Sequence, residues 1–260
     1  MRLKLTIEYA GTRYSGWQIQ KNAKTIQGEI ERAIKAATDQ RDFELYGSGR
    51  TDAGVHALAQ VAHLEIRSTM PPEILRRKIN DELPADINLL RAEKVRHSFH
   101  ARHDAIGRTY LYQVSRRRTA FAKAFVWWVK EDLDLARMRQ VASHFVGFHD
   151  FRSFSDSDPR EGSTEVLLDA LDIREEGDLV MFRVDGSHFI WKLVRRLVGV
   201  LVEVGRGGLE ADAAVALLTT PSDVPARLTA PASGLFLAMV RYKGDASNAL
   251  VTPAMTVPRV

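Results

Sequence analysis

The 260-residue chain contains no cysteine. Disulfides, thiolate zinc sites and cysteine nucleophiles are therefore excluded. No run of 18 apolar residues occurs, and the opening Met1-Arg2-Leu3-Lys4-Leu5-Thr6-Ile7-Glu8 alternates like a strand rather than forming the apolar core of a signal peptide. A cytoplasmic protein with no membrane association is expected. There is no Gly-Lys-Ser/Thr phosphate loop, no Gly/Ser-rich linker and no low-complexity tract. Charge excess is slight, 37 Lys and Arg against 33 Asp and Glu, or +4. Such a balance permits a nucleic-acid partner but does not demand one. With 45% hydrophobic and 27% charged residues the composition is that of an ordinary globular protein.

What is present is a mixture of strand and helix patterns. Leu3, Leu5 and Ile7 alternate with polar residues, which predicts a strand. Ile26, Ile30, Ala33, Ile34 and Ala37 share a helical stripe, with Thr25 as its N-cap. Strand patterns on either side of residues 47 to 57 follow, then a helix from Pro71-Pro72 to Pro84. Further on, the pattern predicts strands at 109–115, 125–129, 166–174 and 178–185, and helices at 134–146 and 188–204. The fold class is α+β with two lobes. The basic, histidine-containing stretch from Val95 to Arg108 marks the boundary, giving subdomains 1–104 and 105–260.

The segment richest in chemistry is Gly47-Ser48-Gly49-Arg50-Thr51-Asp52-Ala53-Gly54-Val55-His56-Ala57. An acid on a tight loop between two strands suits catalysis, because a rigid scaffold positions loop residues. The pattern alone equally fits a hairpin turn with a solvated aspartate. His56 reads as a loop-stabilising hydrogen-bond partner rather than a general base. On the predicted 188–204 helix, Lys192, Arg195, Arg196 and Gly199 fall at i, i+3, i+4 and i+7, a basic stripe opposite an apolar side that includes Ile190 and Leu193. Tyr110 and Tyr112 share one face of a strand. His97, His100 and His103 recur every third residue, but their charged neighbours argue against a metal site. Arg76-Arg77-Lys78 and Arg116-Arg117-Arg118 are either phosphate contacts or solvated charges; of Trp127 and Trp128 one should point inward and one outward.

Gly49-Arg50-Thr51-Asp52-Ala53-Gly54-Val55-His56 resembles the active-site motif of the TruA family of tRNA pseudouridine synthases. Tyr14-Ser15-Gly16-Trp17-Gln18 before it, and Leu83-Pro84-Ala85-Asp86-Ile87, Phe99-His100-Ala101-Arg102, Arg108-Thr109-Tyr110-Leu111-Tyr112, Gly147-Phe148-His149-Asp150-Phe151, Leu193-Val194-Arg195-Arg196-Leu197-Val198-Gly199 and Ala230-Pro231-Ala232-Ser233-Gly234-Leu235-Phe236-Leu237 after it, stand in the family's order. The resemblance implies the pseudouridine synthase fold, two α+β subdomains whose antiparallel sheets join, with a catalytic cleft between them. It implies isomerisation of uridine at tRNA positions 38, 39 and 40, needing neither cofactor nor metal, by a homodimer. It assigns Asp52 the catalytic carboxylate, Arg195 its cationic partner, Tyr110 the ring that stacks on the target base, and Arg50 the space left by the flipped nucleotide. Lys192 and Arg196 are then phosphate contacts or surface residues, and Tyr112 belongs to the core. The alternatives are a non-catalytic RNA-binding protein on the same fold, or a glycosidase that would release free uracil. Two departures stand out. Ala10 replaces the acid usual between Tyr9 and Gly11, and Trp191-Lys192-Leu193 replaces a His or Tyr with Met.

Overall fold

The computed structural model describes residues 1–156, 162–245 and 252–257. In chain order it contains β1 (Arg2–Tyr9), α1 (Ile26–Thr38), β2 (Phe43–Gly47), β3 (His56–Ile66), α2 (Pro72–Glu82) and β4 (Ile87–Lys94). Then come β5 (Ala105–Ser115), β6 (Trp127–Trp128), α3 (Leu135–Phe145), β7 (Gly147–Asp150), β8 (Glu165–Glu176) and β9 (Leu179–Gly186). The chain ends with α4 (Leu193–Gly205), α5 (Ala211–Ala216), α6 (Val224–Arg227) and β10 (Leu235–Tyr242). These form two compact units. The chain passes from the first to the second between Ile106 and Gly107, and returns to the first at Phe236.

In the first unit the sheet order is β4-β1-β3-β10, with β2 also paired to β3. All pairs are antiparallel except β10 on β3, where Phe236 lies opposite His56. The alternation read in β1 sends Leu3, Leu5 and Ile7 into the core, fully buried. Ile26, Ile30 and Ile34 of α1 and Leu75 and Ile79 of α2 are buried too, with α1 packed on α2 and α2 on β4, each such burial stabilising the unit by about 1.5–3 kcal/mol. Thr25 caps α1 by accepting from the Gly28 N–H, and the Arg32 guanidinium donates to the Glu82 carbonyl at the end of α2, 2.7 Å away. That bond ties the two helices together and satisfies an orphan carbonyl.

The second unit has a sheet of order β5-β9-β8-β7. It is antiparallel apart from the short parallel pairing of β6 with β5. Tyr112, Phe182, Phe145, Phe151 and Phe154 fill its core, with α3 packed on α4 and β8. Asp134 caps α3 through the Arg137 N–H. Trp127 is half-buried and Trp128 exposed, the inward and outward pair expected of consecutive strand residues. Among the described residues no helix is long and apolar enough to cross a membrane.

Three elements differ most from the limits the sequence pattern predicts. β5 begins four residues early, at Ala105, and the expected strand at 125–129 shrinks to Trp127–Trp128. The helix expected from 188 begins only at Leu193, because Lys192 takes a left-handed backbone (φ 63°) that breaks the helical path. Ile190 therefore lies outside the helix.

The histidines of the first unit carry a titration consequence. His63 of β3 is fully buried; its Nδ1 accepts from the Ala101 N–H at 3.2 Å, and its Nε2 has no hydrogen-bond partner. Burial first, and then the nearby Arg2 charge, lower its pKa to about 4. In the unfolded chain it titrates near 6.5. Between those values the unfolded chain takes up a proton that the folded one refuses. This stabilisation is complete above about pH 6.5 and is lost as the pH falls toward 4. Urea unfolding of His63→Gln, which keeps an acceptor for Ala101, should show a flatter acid limb than the wild type, by up to about 3 kcal/mol between pH 7 and pH 4. Parallel pH dependences would show that His63 is not the group responsible.

Candidate active site

The loop carrying Asp52 runs from Ser48 to Val55, between β2 and β3. Its entry is fixed by Gln60, a fully buried polar residue of β3. The Gln60 side chain accepts from the Ser48 hydroxyl (2.9 Å) and donates to the Gly49 carbonyl (3.0 Å). At its exit, the Val55 N–H donates to the Asp52 carbonyl, closing a four-residue turn whose third position, Gly54, has φ 79°. Glycine takes that conformation without steric cost.

The middle of the loop is held by the segment after β1. The Trp17 N–H donates to the Thr51 carbonyl (3.0 Å), and the Gly54 N–H donates to the Tyr14 carbonyl (3.2 Å). The Tyr9 and Thr51 hydroxyls lie 2.8 Å apart. The Gly11 N–H donates to Nδ1 of His56 at 3.0 Å, so that nitrogen carries no proton, and the imidazole stacks on Phe236. His56 thus braces the loop, as read from the sequence. Both glycines of the brace are forced by close approach: a Cβ on Gly11 would lie 1.9 Å from the Val55 carbonyl oxygen, and one on Gly16 (φ 94°) 2.6 Å from that of Thr51. Ala10 itself is tied to Asp86 through the backbone. Asp86 accepts from Arg13 and from the Tyr14 hydroxyl (2.6 Å), and its carbonyl accepts from the Ala10 N–H.

On this frame the Asp52 side chain is half-exposed and Arg50 exposed, with the Arg50 Nε donating to Gln18 at 3.1 Å. The first unit therefore brings Asp52 and Arg50 onto one loop and His56 to the start of the strand that follows, with His56 buried and Arg50 exposed.

The second unit holds Tyr110 and Arg195. Tyr110 lies on β5 opposite Val184 of β9, half-exposed, its ring edge-to-face with Phe189 at 4.9 Å. Phe189 lies outside every family-like segment, and its type and position in the sequence give no signal of this contact. Tyr112 is fully buried and donates its hydroxyl to the Pro231 carbonyl at 2.7 Å, a core residue as expected. Burial raises its pKa.

Arg195 is braced by the same 228–231 stretch. Its Nε donates to the Ala230 carbonyl (2.7 Å), while the Ala230 N–H donates to the Arg195 carbonyl (3.0 Å). A Cβ on Gly199 would lie 1.7 Å from the Leu228 carbonyl oxygen, so glycine lets that stretch lie against α4. The basic stripe of α4 is therefore not a solvated face. Arg196, expected as a phosphate contact or a surface residue, is only 2% exposed and pairs with Asp156. The Lys192 Nζ lies 2.9 Å from the same carboxylate. Asp156, forty residues before Arg196, gave no sequence signal. The other basic patches are likewise engaged: Arg76 and Arg77 pair with Glu73, and Arg116 and Arg117 with Glu175 and Asp178.

The close approach at Gly16 has a direct test. Gly16→Ala should destabilise the protein by about 2–4 kcal/mol in urea unfolding, combining overpacking with a left-handed backbone. Gly49→Ala, where a Cβ meets nothing within 4 Å, should stay within about 0.5 kcal/mol of wild type. Equal effects at the two positions would contradict the brace.

A family model described as tRNA pseudouridine synthase matches residues 5–104 and 141–243. Those stretches include Arg50, Asp52 and Arg195; Tyr110 falls between them. The chain is 42% identical over 245 residues to a protein of Rhodopseudomonas palustris (strain BisA53) named tRNA pseudouridine synthase A, covering 93% of this chain and 99% of that protein. It is 38% identical over 244 residues to tRNA pseudouridine synthase A 2 of Clostridium tetani, covering 92% and 98%. With tRNA pseudouridine synthase A of Acetivibrio thermocellus the identity is 39% over 242 residues, covering 92% and 99%. Agreement of this extent, end to end in each relative, shows that the chain belongs to the tRNA pseudouridine synthase family.

Proposed function

We propose that the protein converts uridine to pseudouridine in the anticodon stem-loop of tRNAs, at positions 38, 39 and 40. The observation that carries this reading is the Asp52 carboxylate, half-exposed on a loop that the Gly11–Trp17 segment and Gln60 hold in place. Isomerisation breaks the bond between uracil N1 and the ribose C1′ and forms one from C5 to C1′. N1 gains a hydrogen and C5 loses one, so nothing is oxidised and no group leaves. In this reading Asp52 acts at the glycosidic centre. Attack at C1′, attack at C6, and elimination through a glycal-like intermediate all use an ionised carboxylate there.

Arg195 supplies the cation for that carboxylate, its guanidinium steered by the Ala230 carbonyl. Tyr110 stacks on the target uracil, its ring set by Phe189. Arg50 fills the space left when the base leaves the stack, a departure that costs a few kcal/mol. A non-catalytic RNA binder has no use for a braced carboxylate among phosphates. The same reading gives a cytoplasmic homodimer that works on tRNA without cofactor or metal.

The test is tritium release from tRNA labelled at uracil C5. Wild type should release tritium with the base retained on the RNA, and Asp52→Ala should release none while still binding tRNA. Release by Asp52→Ala would remove Asp52 from the chemistry. Free uracil would make the protein a glycosidase, and binding without release by the wild type would leave an RNA-binding protein.

A further inference from the structure

The segment between β9 and α4 departs from the family pattern at Trp191 and Lys192, and the structure gives the two residues a joint arrangement. Lys192 is the residue before α4 and holds a left-handed backbone that L side chains rarely adopt. Its side chain is pinned twice. The ammonium lies 2.9 Å from Asp156 Oδ2 and 4.2 Å from the centroid of the Trp191 ring. Asp156 also holds the buried Arg196 guanidinium, and these two cations keep its carboxyl below the usual range. The Lys192 charge is thus committed within the protein and offers little to a phosphate. What the segment presents instead is the indole: Trp191 is 51% exposed, an unusual state for the largest side chain. It lies two residues from Phe189, the ring against Tyr110.

We infer that Trp191 is a stacking platform for an unpaired base of the substrate RNA next to the target nucleotide, positioned by the Asp156–Lys192 pair. The inference rests on the tRNA reading above. Single-stranded and loop nucleotides are bound by stacking on aromatic side chains, which tolerates any base because every base has a π face. A cation over the indole orients the ring and draws electron density from it, which favours stacking with an electron-rich purine. Arg108, whose guanidinium donates to the Ser187 carbonyl four residues before Trp191, gives this segment positive charge that suits a phosphate backbone better than an apolar protein partner. Lys192 and Asp156 are then positioning residues, and Trp191 a binding residue for the anticodon arm.

The experiment measures tRNA affinity, and the single-turnover rate at saturating tRNA, for Trp191→Ala, Trp191→Phe and Lys192→Met. Trp191→Ala should weaken binding by roughly 5- to 100-fold with its saturated rate close to wild type, and Trp191→Phe should recover most of the loss. Lys192→Met should weaken binding less and leave the slope of log affinity against log salt unchanged. A slope reduced by about one would make Lys192 a phosphate contact and overturn its positioning role. Wild-type affinity in Trp191→Ala overturns the platform. So does a smaller particle mass in light scattering, which would make the indole a subunit contact. If the wild type binds tRNA but forms no pseudouridine, the catalytic reading fails while the affinities still decide the role of Trp191.

Discussion

The hydrogen bond from the Trp17 N–H to the Thr51 carbonyl is the constraint on which the candidate site depends. It fixes the residue immediately before Asp52. It forms only because Gly16, with φ 94°, lets the chain come within contact of the Asp52 loop, and because Gly11 does the same beside Val55. The bonds from Gly54 to Tyr14 and from Gly11 to His56 then hold the loop from its far side. A loop bonded this densely to a second segment keeps its geometry without the substrate's help, and catalysis gains most from groups that need no reorganisation when the substrate arrives. These bonds hold the stretch, and Asp52 on it is half-exposed.

The second unit solves a related problem differently. α4 is apolar on most of its surface, with eleven of its thirteen residues buried, yet it carries two adjacent arginines. A buried guanidinium is tolerated only with a partner, and Asp156 provides it for Arg196. Arg195 is only half-buried, and the Ala230 carbonyl takes its Nε–H. The stretch from Leu228 to Pro231 serves Arg195, Gly199 and Tyr112 together. A conformational change there would be felt at both proposed substrate contacts, Arg195 directly and Tyr110 through its strand.

Local signals in the sequence were legible where one face of an element met the core. Leu3, Leu5 and Ile7, the Thr25 and Asp134 caps and the hairpin of β8 and β9 all appear as their spacing requires. Departures came from partners distant in the chain. Arg196 reads as solvated until Asp156 is brought to it. The helix reads as starting at 188 because Lys192 is an ordinary residue by type, and nothing in its side chain announces a left-handed backbone. β4 and β10 were not assigned as strands, since one has mixed polarity and the other is a nearly unbroken apolar run, Leu235-Phe236-Leu237-Ala238-Met239-Val240, that periodicity alone leaves between helix and strand. In the candidate site, Asp52, Arg50, Tyr110 and Arg195 came from motif resemblance. Gln60, Gly11 and the Trp17 backbone, which give the loop its rigidity, come to view only in three dimensions.

The most direct test of this account is amide hydrogen exchange across residues 47–56, measured in the protein without RNA. If the brace preorganises the Asp52 loop, the N–H groups of Ser48, Gly54 and Val55, and that of Trp17 opposite them, will exchange about as slowly as those of the adjoining β3, and tRNA will change them little. Exchange at the rate of an open surface loop, slowed only when tRNA binds, would contradict it and make the loop a segment ordered by its substrate.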